Sequence, residues 1–591
     1  MNKNETWNLD DIVTLEEFMP LLEKVNNQLS RYTEYFAQFT PNMDTQLFKD
    51  FLAFDEALDE DMMRLGGRVM LMESADIKDK QAMELKTKLK NLDLALSEVA
   101  LPVFQWLKGN EVEDKPQLDD KNAQRLFAEA GDLGYVLQFG RKTASYSLSH
   151  TEELIIRNKD SNGVGVVNDL YNMITSDFRF EFCPPNKKVC TIDTIDELNR
   201  YTFSADPAER AEAFRSRFEQ YETNIEKLFV SYQAIVKNWV YTSKLRGYAS
   251  PISMRNVDNH LNDKAIETLL DVCGKNTEIF QRVFRWKAKQ LGQEKLKRVD
   301  FYAPLGGETQ TIELDPSVDQ VLENFREFSP QFADYAKTIV EKRHVDFLPR
   351  SNKRSGAFCM SIGPKIAPYV MTNFAGRMTD KFTIAHELGH GVHMLYASKH
   401  SIGAMHANLP LMETASTFGE MIVFEKTLQA TEDTAIKKQL LAEKLLDSYA
   451  TIMRQNYFTK FEIAAHAASE KEFTIDVLNQ LWLDNLAEQF GDSVEVDEMF
   501  KYEWAYIPHI FSTPFYCYAY SFGELLSMAL YKRYKDEGES FVAKIEQILA
   551  AGGSQDPAEI LREVGIDMED PEFWQGSFAI VEDWLTQLEK L

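Results

Sequence analysis

Residues 379–397 read TDKFTIAHELGHGVHMLYA, and the fold can be worked outward from this stretch. Its apolar residues recur at the spacing of one helix face: Ile384, Leu388, Val392 and Leu395. This pattern predicts an amphipathic α-helix, and the Thr-Asp pair at 379–380 can cap its start. His386 and His390 lie four residues apart, about one helical turn, so both imidazoles project from the same side of that helix.

The motif His386-Glu387-x-x-His390 is typical of zinc metallopeptidases. In such a site the two histidines bind one Zn²⁺ at about 2.0–2.1 Å, and the glutamate takes a proton from the water that attacks the peptide bond. With 10 histidines in 591 residues, an accidental match is expected on the order of 1% of the time. We therefore expect a hydrolytic zinc site on this helix, with Glu387 as its general base.

A third protein ligand is needed, because a catalytic zinc usually has three. His393 lies only three residues beyond His390, where its reach to the same metal is poor, so a packing or supporting role is expected for it. Downstream, residues 410–426 (PLMETASTFGEMIVFEK) predict a second helix, on which Glu413 and Glu420 share a face. Glu413 is therefore the predicted third ligand. Glu420 is expected to hold a liganding histidine through its free ring nitrogen.

Two features near the histidine helix complete this local picture. Strand-like stretches at 357–362 (AFCMSI) and 368–374 (PYVMTNF) predict a hairpin and a small sheet on a helical body. The second stretch is either an edge strand that binds an extended peptide or an ordinary sheet strand. Gly389 and Gly391 are expected to permit close packing beneath the metal site, and Glu425 is expected on a solvated face.

Most of the remaining sequence predicts amphipathic helices. Breaks that combine Gly, Pro, Asn and charge fall at 109–119, 161–165 and 183–188, and residues 299–314 show a short strand-like alternation. We place a boundary near residue 205. It gives an N-terminal helical region over 1–205 and a catalytic region over 206–591.

The charge balance argues against two classes of partner. Lys and Arg number 65 against 93 Asp and Glu, a net charge of -28, so nucleic acid and anionic membranes would be repelled on average. Residues 511–531 have the length of a membrane span, but their hydroxyl groups and Glu524 predict a buried helix instead. The five cysteines are scattered, and the polar N-terminus lacks the apolar run of a signal peptide. We expect a cytoplasmic protein with reduced thiols.

Several motifs occur in a characteristic order along nearly the whole chain. They are WNLDDIV at 7–13, RSGAFC at 354–359, PYVMTNFAG at 368–376, HELGHGVH at 386–393, ETASTFGE at 413–420 and IPHIFSTPFYCYAYSFGE at 507–524. Together they resemble oligoendopeptidase F, a branch of the thimet-oligopeptidase family of zinc peptidases.

This resemblance implies a mainly α fold: a large helical ellipsoid with a deep central substrate channel, a zincin-type active-site helix and a small β-sheet beside it. Such a channel admits short unstructured peptides and excludes folded proteins. The family pattern also implies one Zn²⁺ per chain, held by His386, His390 and Glu413. Glu387 matches the family's general base, and Glu420 matches a carboxylate that supports the ligands.

Near the C-terminus, His509 and Tyr520 match positions that the family uses close to the substrate carbonyl. Cys517 stands where the thimet-type pattern has Tyr, so Tyr516 and Tyr518 are both candidates for a further substrate contact. Tyr516, Tyr520 and Glu524 are spaced four apart and predict a polar stripe on one helix. A phenol or imidazole there could stabilise the oxyanion of the transition state.

Two alternatives to an oligoendopeptidase stay open at this point. One is a zinc carboxypeptidase or dipeptidyl carboxypeptidase, for which Arg354 could capture the substrate C-terminus. The other is a non-catalytic, peptide-binding helical scaffold, against which the intact Glu387 counts. The sequence indicates short peptides as partners and carries no signal for the oligomeric state.

Overall fold

Helices dominate the computed structural model, which describes residues 6–185, 188, 190–306 and 311–591. The helices up to residue 308 are α1 (Leu15–Gln38), α2 (Thr45–Ala75), α3 (Lys80–Lys108), α4 (Asp120–Phe127), α5 (Gly134–Thr143), α6 (His150–Asn162), α7 (Val164–Ser176), α8 (Ile195–Thr202), α9 (Pro207–Leu245), α10 (Pro251–Asp258), α11 (Asp263–Lys275) and α12 (Thr277–Gln290).

The later helices are α13 (Leu314–Phe328), α14 (Pro330–Glu341), α15 (Met378–Ala397), α16 (Ile402–Met405), α17 (Leu409–Met412), α18 (Thr414–Ala430), α19 (Thr434–Ser448), α20 (Arg454–Ala468), α21 (Ile475–Phe490), α22 (Pro508–Ser512), α23 (Tyr518–Glu537), α24 (Glu539–Ala551), α25 (Pro557–Glu563) and α26 (Pro571–Lys590). Short 3-10 segments lie at Gly131–Leu133, Ala144–Tyr146, Arg298–Asp300 and Glu498–Tyr506, and a π-helical turn at Tyr449–Met453.

The strands are short and form small sheets. They are β1 (Phe180–Phe182), β2 (Cys190–Ile192), β3 (Leu296–Lys297), β4 (Val345–Asp346), β5 (Phe358–Met360), β6 (Tyr369–Met371) and β7 (Val494–Glu495). β1 pairs with β2, β3 pairs with β7, and the remaining three strands form one sheet. The prediction of a mainly α fold with a small sheet near the histidine helix is confirmed.

The chain divides into two compact units, each assembled from three separate segments. The first unit comprises Met1–His150, Thr309–Ala430 and Leu530–Asp567, and the second comprises Thr151–Glu308, Thr431–Ala529 and Met568–Leu591. The division into an N-terminal region (1–205) and a catalytic region (206–591) stays a prediction.

In the first unit, α1, α2 and α3 pack together around aromatic side chains. Thr14 begins α1 with a capping box, in which its hydroxyl accepts from the N–H of Glu17 and the Glu17 carboxylate accepts in return. The buried rings of Phe39, Phe51 and Trp106 meet with centroids 5.2 and 5.4 Å apart. The amphipathic helices predicted for this part of the chain are therefore confirmed.

The three-stranded sheet has the order β4-β6-β5, with β4 parallel and β5 antiparallel to β6. Cys359 lies opposite Val370, which confirms the predicted hairpin. Of the two alternatives for the second strand, the edge strand is wrong and the ordinary sheet strand is confirmed, because β4 pairs with the other side of β6: the Val370 N–H donates to His344 O at 2.8 Å. A two-residue strand such as β4 leaves too little alternation in the sequence to predict. Within the hairpin, the strand that lies at an edge of the sheet is β5.

The N-terminal segment fixes the middle strand of this sheet. The Tyr369 hydroxyl donates to Asn8 O at 2.6 Å, and the Trp7 ring packs against the Tyr369 ring. The His344 ring stacks on the Tyr369 ring with centroids 3.9 Å apart, and His344 Nε2 lies 3.1 Å from Asp11 Oδ2. The opening WNLDD thus secures the sheet that lies beside α15.

The strand-like alternation predicted at residues 299–314 does not correspond to a strand in the described part of this stretch. Positions 307–310 lie outside the described residues, and the described remainder contains a 3-10 turn and the start of α13 rather than a strand. The nearby strand, β3, precedes the stretch. The predicted break at 183–188 also includes positions 186 and 187, which lie outside the described residues.

In the second unit the long helix α9 packs on the 3-10 segment Glu498–Tyr506 and on α7. The buried ring of Tyr232 lies 5.5 Å from Trp504 and 5.2 Å from Phe511 between ring centroids. Residues 511–531 form the end of α22, a loop and most of α23. In the described ranges, no helix combines the length and the apolar character needed to cross a membrane.

Helices α15 and α18 of the first unit approach each other closely at Gly389. A Cβ at this position would lie 2.5 Å from Ala415 O and 2.6 Å from Ser416 Cα, both backbone atoms of α18. A Cβ at Gly391 would instead meet the Cδ1 end of the Ile339 side chain at 2.4 Å. The expected close packing is confirmed, and only at Gly389 does it involve the backbone of a second helix.

We predict that Gly389→Ala lowers the thermal unfolding midpoint, whereas Gly391→Ala changes it little. Alanine gains about 1 kcal/mol of helix propensity at either site. At 389 the added methyl must separate two backbones, a strain of about 1–3 kcal/mol, whereas at 391 a flexible side-chain end can rotate away. Equal unfolding midpoints for the two variants, measured by calorimetry, would contradict this packing argument.

Candidate active site

Helix α15 and the start of α18 bring three ligand atoms together in the first unit. His386 Nε2 and His390 Nε2 each lie 3.4 Å from Glu413 Oε2. The two rings come from consecutive turns of α15, with centroids 5.0 Å apart. The ligand atoms of His386, His390 and Glu413 all lie within 4.8 Å of one another. Of the described His, Cys, Asp and Glu residues, these three are the ones that form a group of at least three with this property.

The spacing of these atoms fits a bound metal ion. An ion that holds its ligands tetrahedrally at about 2.0–2.1 Å, as zinc does, separates neighbouring ligand atoms by about 3.3 Å. The two measured N–O separations of 3.4 Å match this value. Two imidazoles and one carboxylate are also a ligand set that such sites use.

Glu420 contacts the outer side of this group, on the face of α18 that it shares with Glu413. Its Oε2 lies 3.3 Å from His386 Nδ1, so it can fix the ring with Nε2 turned towards Glu413. Burial lowers the pKa of His386, but the carboxylates of Glu413 and Glu420 outweigh burial and raise it well above its usual range. Burial raises the pKa of Glu413, but the two imidazoles outweigh it and hold that pKa far below normal.

Ser416 is a supporting residue that the sequence analysis did not identify. Its buried hydroxyl donates at 2.9 Å to Glu413 Oε2 and lies equally close to Glu413 O. A serine three residues after a carboxylate at a helix start is common as a capping arrangement, so the ETAS sequence gave no specific signal.

His393 and Glu425 stand apart from the ligand group. His393 is buried and lies against the backbone of Met412, and burial lowers its pKa to about 4, so it packs as a neutral ring. The expectation of a solvated Glu425 is wrong. Its side chain is buried with Oε2 3.5 Å from Lys535 Nζ, a residue too distant in sequence for helix periodicity to reveal.

Glu387 is buried beside the two histidines, with 7% of its surface exposed. Burial raises the pKa of its carboxyl group, and the charges of His386 and His390 oppose this rise. A carboxylate of raised pKa binds a proton more readily than one in water, which suits a general base.

In the second unit, His509, Tyr516 and Tyr520 form a cluster. The Tyr520 hydroxyl lies 3.5 Å from His509 Nε2, and the Tyr516 and Tyr520 rings meet edge to face with centroids 5.2 Å apart. Burial and the positive charge of Arg454 lower the pKa of His509, so its ring is neutral near pH 7.

Tyr518 and Glu524, on the same helix, have different environments. Tyr518 is fully buried, and its hydroxyl accepts a hydrogen bond from Asn259 Nδ2 at 2.7 Å. Glu524 is also buried, with Oε1 3.7 Å from Lys444 Nζ. The stripe Tyr516, Tyr520 and Glu524 therefore ends in a buried ion pair, and a substrate contact by Tyr518 stays a prediction.

Arg354 lies at the surface of the first unit, just before β5. Its guanidinium is 5.7 Å from the centroid of the Phe358 ring, and its main chain is fixed by Ser74 O and by the Asn373 side chain. The charged end is thus available next to the strand edge.

A family model described as peptidase family M3 matches residues 200–580 of the chain. The chain belongs to peptidase family M3. It is accordingly a metalloendopeptidase, an enzyme that hydrolyses peptide bonds with a bound metal. Membership decides against the non-catalytic scaffold.

Relatives extend this M3 assignment over the whole chain. It is 25% identical to an oligoendopeptidase F homolog of Borreliella burgdorferi, covering 100% of this chain and 99% of the relative. It is 24% identical to oligopeptidase PepF of Bacillus subtilis, covering 99% and 87%. The resemblance to oligoendopeptidase F is thus confirmed.

Solved structures support the same fold. A putative peptidase from Chlamydophila abortus superposes with a TM-score of 0.89 at 20% identity, covering 100% of this chain and 98% of that one. Oligoendopeptidase-F from Enterococcus faecium superposes with a TM-score of 0.70 at 20% identity, covering 97% and 98%. The M3 peptidase therefore shares its helical fold with these proteins.

We predict that Glu420→Ala raises the metal dissociation constant of this M3 peptidase about 10- to 100-fold, because His386 loses the contact that orients it. Competition with a chromogenic chelator measures the constant. Glu425→Ala is the matched control: it removes a second carboxylate from α18, one that is buried beside Lys535, and should leave metal affinity unchanged. Equal affinities for the two variants would contradict the role of Glu420.

Metal affinity should also depend on pH. The metal binds neutral His386, and the two carboxylates raise the pKa of that ring in the metal-free protein. Metal binding must then displace a proton below this pKa, and affinity should fall about tenfold for each pH unit of acidification. Calorimetric titrations in buffers of different ionisation enthalpy measure the proton release. Metal binding at pH 6 without proton release would contradict the prediction.

Proposed function

We propose that this M3 peptidase is a zinc-dependent oligoendopeptidase that hydrolyses internal bonds of short, unstructured peptides. The observation that carries the proposal is the convergence of His386, His390 and Glu413 at 3.4 Å separations beside the buried carboxylate of Glu387. His386, His390 and Glu413 would hold one Zn²⁺ per chain. The ion would lower the pKa of a water molecule and polarise the scissile carbonyl.

Glu387 then acts as the general base and later as the acid. Its carboxylate accepts a proton from the attacking water and delivers it to the leaving nitrogen. The raised pKa that burial gives Glu387 favours the first transfer. Glu420 keeps the His386 ring in place during both steps.

His509 and Tyr520 are proposed to stabilise the negative charge that develops on the carbonyl oxygen. Their match to family positions and their 3.5 Å contact support this role. A neutral imidazole and a phenol can both donate hydrogen bonds, and such donors contribute about 3–4 kcal/mol each to transition-state stabilisation. Tyr516 is proposed to contact the substrate next to them.

The substrate main chain is proposed to add to the edge of β5 rather than to β6. β5 lies against α15: a Cβ at Gly391 would be 3.6 Å from Cys359 Sγ. Backbone pairing along this edge would tolerate many side chains, which suits an oligopeptidase of broad specificity. Arg354, exposed beside the same edge, would bind a free C-terminus in a carboxypeptidase activity, which is the second candidate function and would accompany the endopeptidase activity.

Three wider assignments accompany this proposal. The region 206–591 would contain the catalytic residues and 1–205 would serve as a helical scaffold, which the family match over 200–580 supports. A substrate channel would limit access to short peptides. A cytoplasmic location is supported by the free thiols of all five cysteines and by the acidic composition.

We predict that the full-length protein cleaves a quenched fluorescent peptide that is blocked at both ends. A chelator should abolish cleavage, and added Zn²⁺ should restore it. Glu387→Gln should lower kcat by about 10²- to 10⁴-fold because the base is lost, with zinc content and unfolding midpoint unchanged.

Mass spectrometry of the products distinguishes endopeptidase cleavage at internal bonds from carboxypeptidase cleavage at a free C-terminus. Cleavage of the doubly blocked peptide at an internal bond supports the oligoendopeptidase. Cleavage confined to peptides with a free C-terminus, and lost in Arg354→Gln, would instead support the carboxypeptidase. Full activity of Glu387→Gln would contradict the mechanism in either case.

A further inference from the structure

The loop between α22 and α23 carries the proposed oxyanion residues at its two ends. His509 lies in α22, and Tyr516 and Tyr520 follow the peptide bond between Pro514 and Phe515. The orientation of that peptide therefore determines where the two tyrosines lie relative to His509.

Phe515 has an unfavourable backbone conformation. Its φ is +59°, in the left-handed region that bulky side chains avoid because Cβ crowds the following carbonyl. Residues held in this region persist only where the surrounding structure determines them strongly, and they occur preferentially at functional sites.

Two polar side chains bind the two polar atoms of this one peptide. Glu462 Oε1, from α20, accepts the Phe515 N–H at 2.7 Å, and Arg255 Nε, from α10, donates to Pro514 O at 3.1 Å. Glu462 is fully buried. Because both polar atoms of the peptide are fixed, it cannot rotate without breaking two hydrogen bonds, one of them to the charged guanidinium of Arg255.

The Phe515 ring is enclosed as well. It packs against His466, one turn after Glu462 on α20, with centroids 4.5 Å apart, and against Trp239 at 6.3 Å. The Arg255 guanidinium lies over the same Trp239 ring at 5.4 Å. Side chains from three helices thus hold one residue of the loop.

A carboxyl group at position 462 destabilises the fold through the free energy of its desolvation. Burial raises the pKa of Glu462 to about 8, against the Phe515 N–H and the charge of Arg255, and within the described residues its Oε2 has no hydrogen-bond partner. An apolar side chain of similar size would fill this site without the cost of desolvation. An apolar residue, however, could not accept the hydrogen bond that the Phe515 N–H donates to Glu462.

We propose that Glu462 and Arg255 are positioning residues of the peptidase: they fix the Pro514–Phe515 peptide so that Tyr520 meets the substrate carbonyl. The proposal rests on the proposed oxyanion role of Tyr520. Glu462 is fully buried, so it acts on the loop and not on the substrate. Loss of either should therefore lower kcat and leave KM nearly unchanged.

The first test compares two variants of the zinc-loaded, full-length enzyme. Glu462→Leu removes the acceptor and should lower kcat about 100-fold, the effect of a displacement of about 1 Å in a catalytic group. Glu462→Gln keeps an oxygen that accepts the Phe515 N–H and should retain kcat within about threefold. Equal losses in both variants, or full activity of Glu462→Leu, would overturn the proposal.

A double-mutant cycle tests whether Glu462 acts through Tyr520. Tyr520→Phe removes the proposed donor and should lower kcat about 10²- to 10³-fold. Glu462→Leu should then cause little further loss in the Tyr520→Phe background, because the misplaced group is already absent. An undiminished 100-fold loss there overturns the proposal and leaves the function of Tyr520 intact. Full activity of Tyr520→Phe itself refutes both the oxyanion role and the positioning role, while Glu387→Gln separately reports on the zinc mechanism.

Hydrogen–deuterium exchange separates loop order from general stability. Glu462→Leu should accelerate exchange in peptides that cover 509–520, whereas Glu462→Gln should not. Asn485→Leu is the matched control, because it removes a buried side-chain hydrogen bond to Tyr457 O on the same helix α20. It should lower the unfolding midpoint but leave kcat and exchange at 509–520 unchanged. Unchanged exchange at 509–520 in Glu462→Leu would overturn the proposal.

Discussion

The close approach of α15 and α18 at Gly389 is the constraint on which the metal group depends. With no side chain at this position, the backbone of one helix lies against Ala415 and Ser416 of the other. This distance lets a glutamate at the start of α18 reach two imidazoles from consecutive turns of α15 with equal separations of 3.4 Å. A larger interhelical distance would leave two histidines and a carboxylate that share no common centre.

Around this contact, each ligand is held by a second interaction. Glu420 fixes the His386 ring, and the Ser416 hydroxyl fixes the carboxylate of Glu413. The protein itself thus orients the metal ligands through these contacts. The second unit follows the same physical rule on a loop: buried side chains fix a strained peptide next to the residues that are proposed to meet the substrate.

The sequence could predict what depends on local periodicity. His386 and His390 are one turn apart, and Glu413 and Glu420 share a face of the next helix, so both sets were predictable before any packing was known. Features that depend on distant partners were not. The pairing of β6 with β4 makes β6 a central strand of its sheet, and Lys535 pairs with the buried Glu425. Arg255 and Glu462 bind the same peptide only in the folded chain.

The interleaved segments constrain the order in which this chain can mature on the ribosome. The polypeptide passes from one unit to the other at residues 150–151, 308–309, 430–431, 529–530 and 567–568. Neither unit is therefore a contiguous stretch of the chain, and each can complete its core only after its third segment has been synthesised. The second unit is completed after the first, because α26, which packs against α19, α12 and α11, follows the third segment of the first unit. Apolar helix faces of each unit therefore stay exposed on the nascent chain until the third segment of that unit has been made.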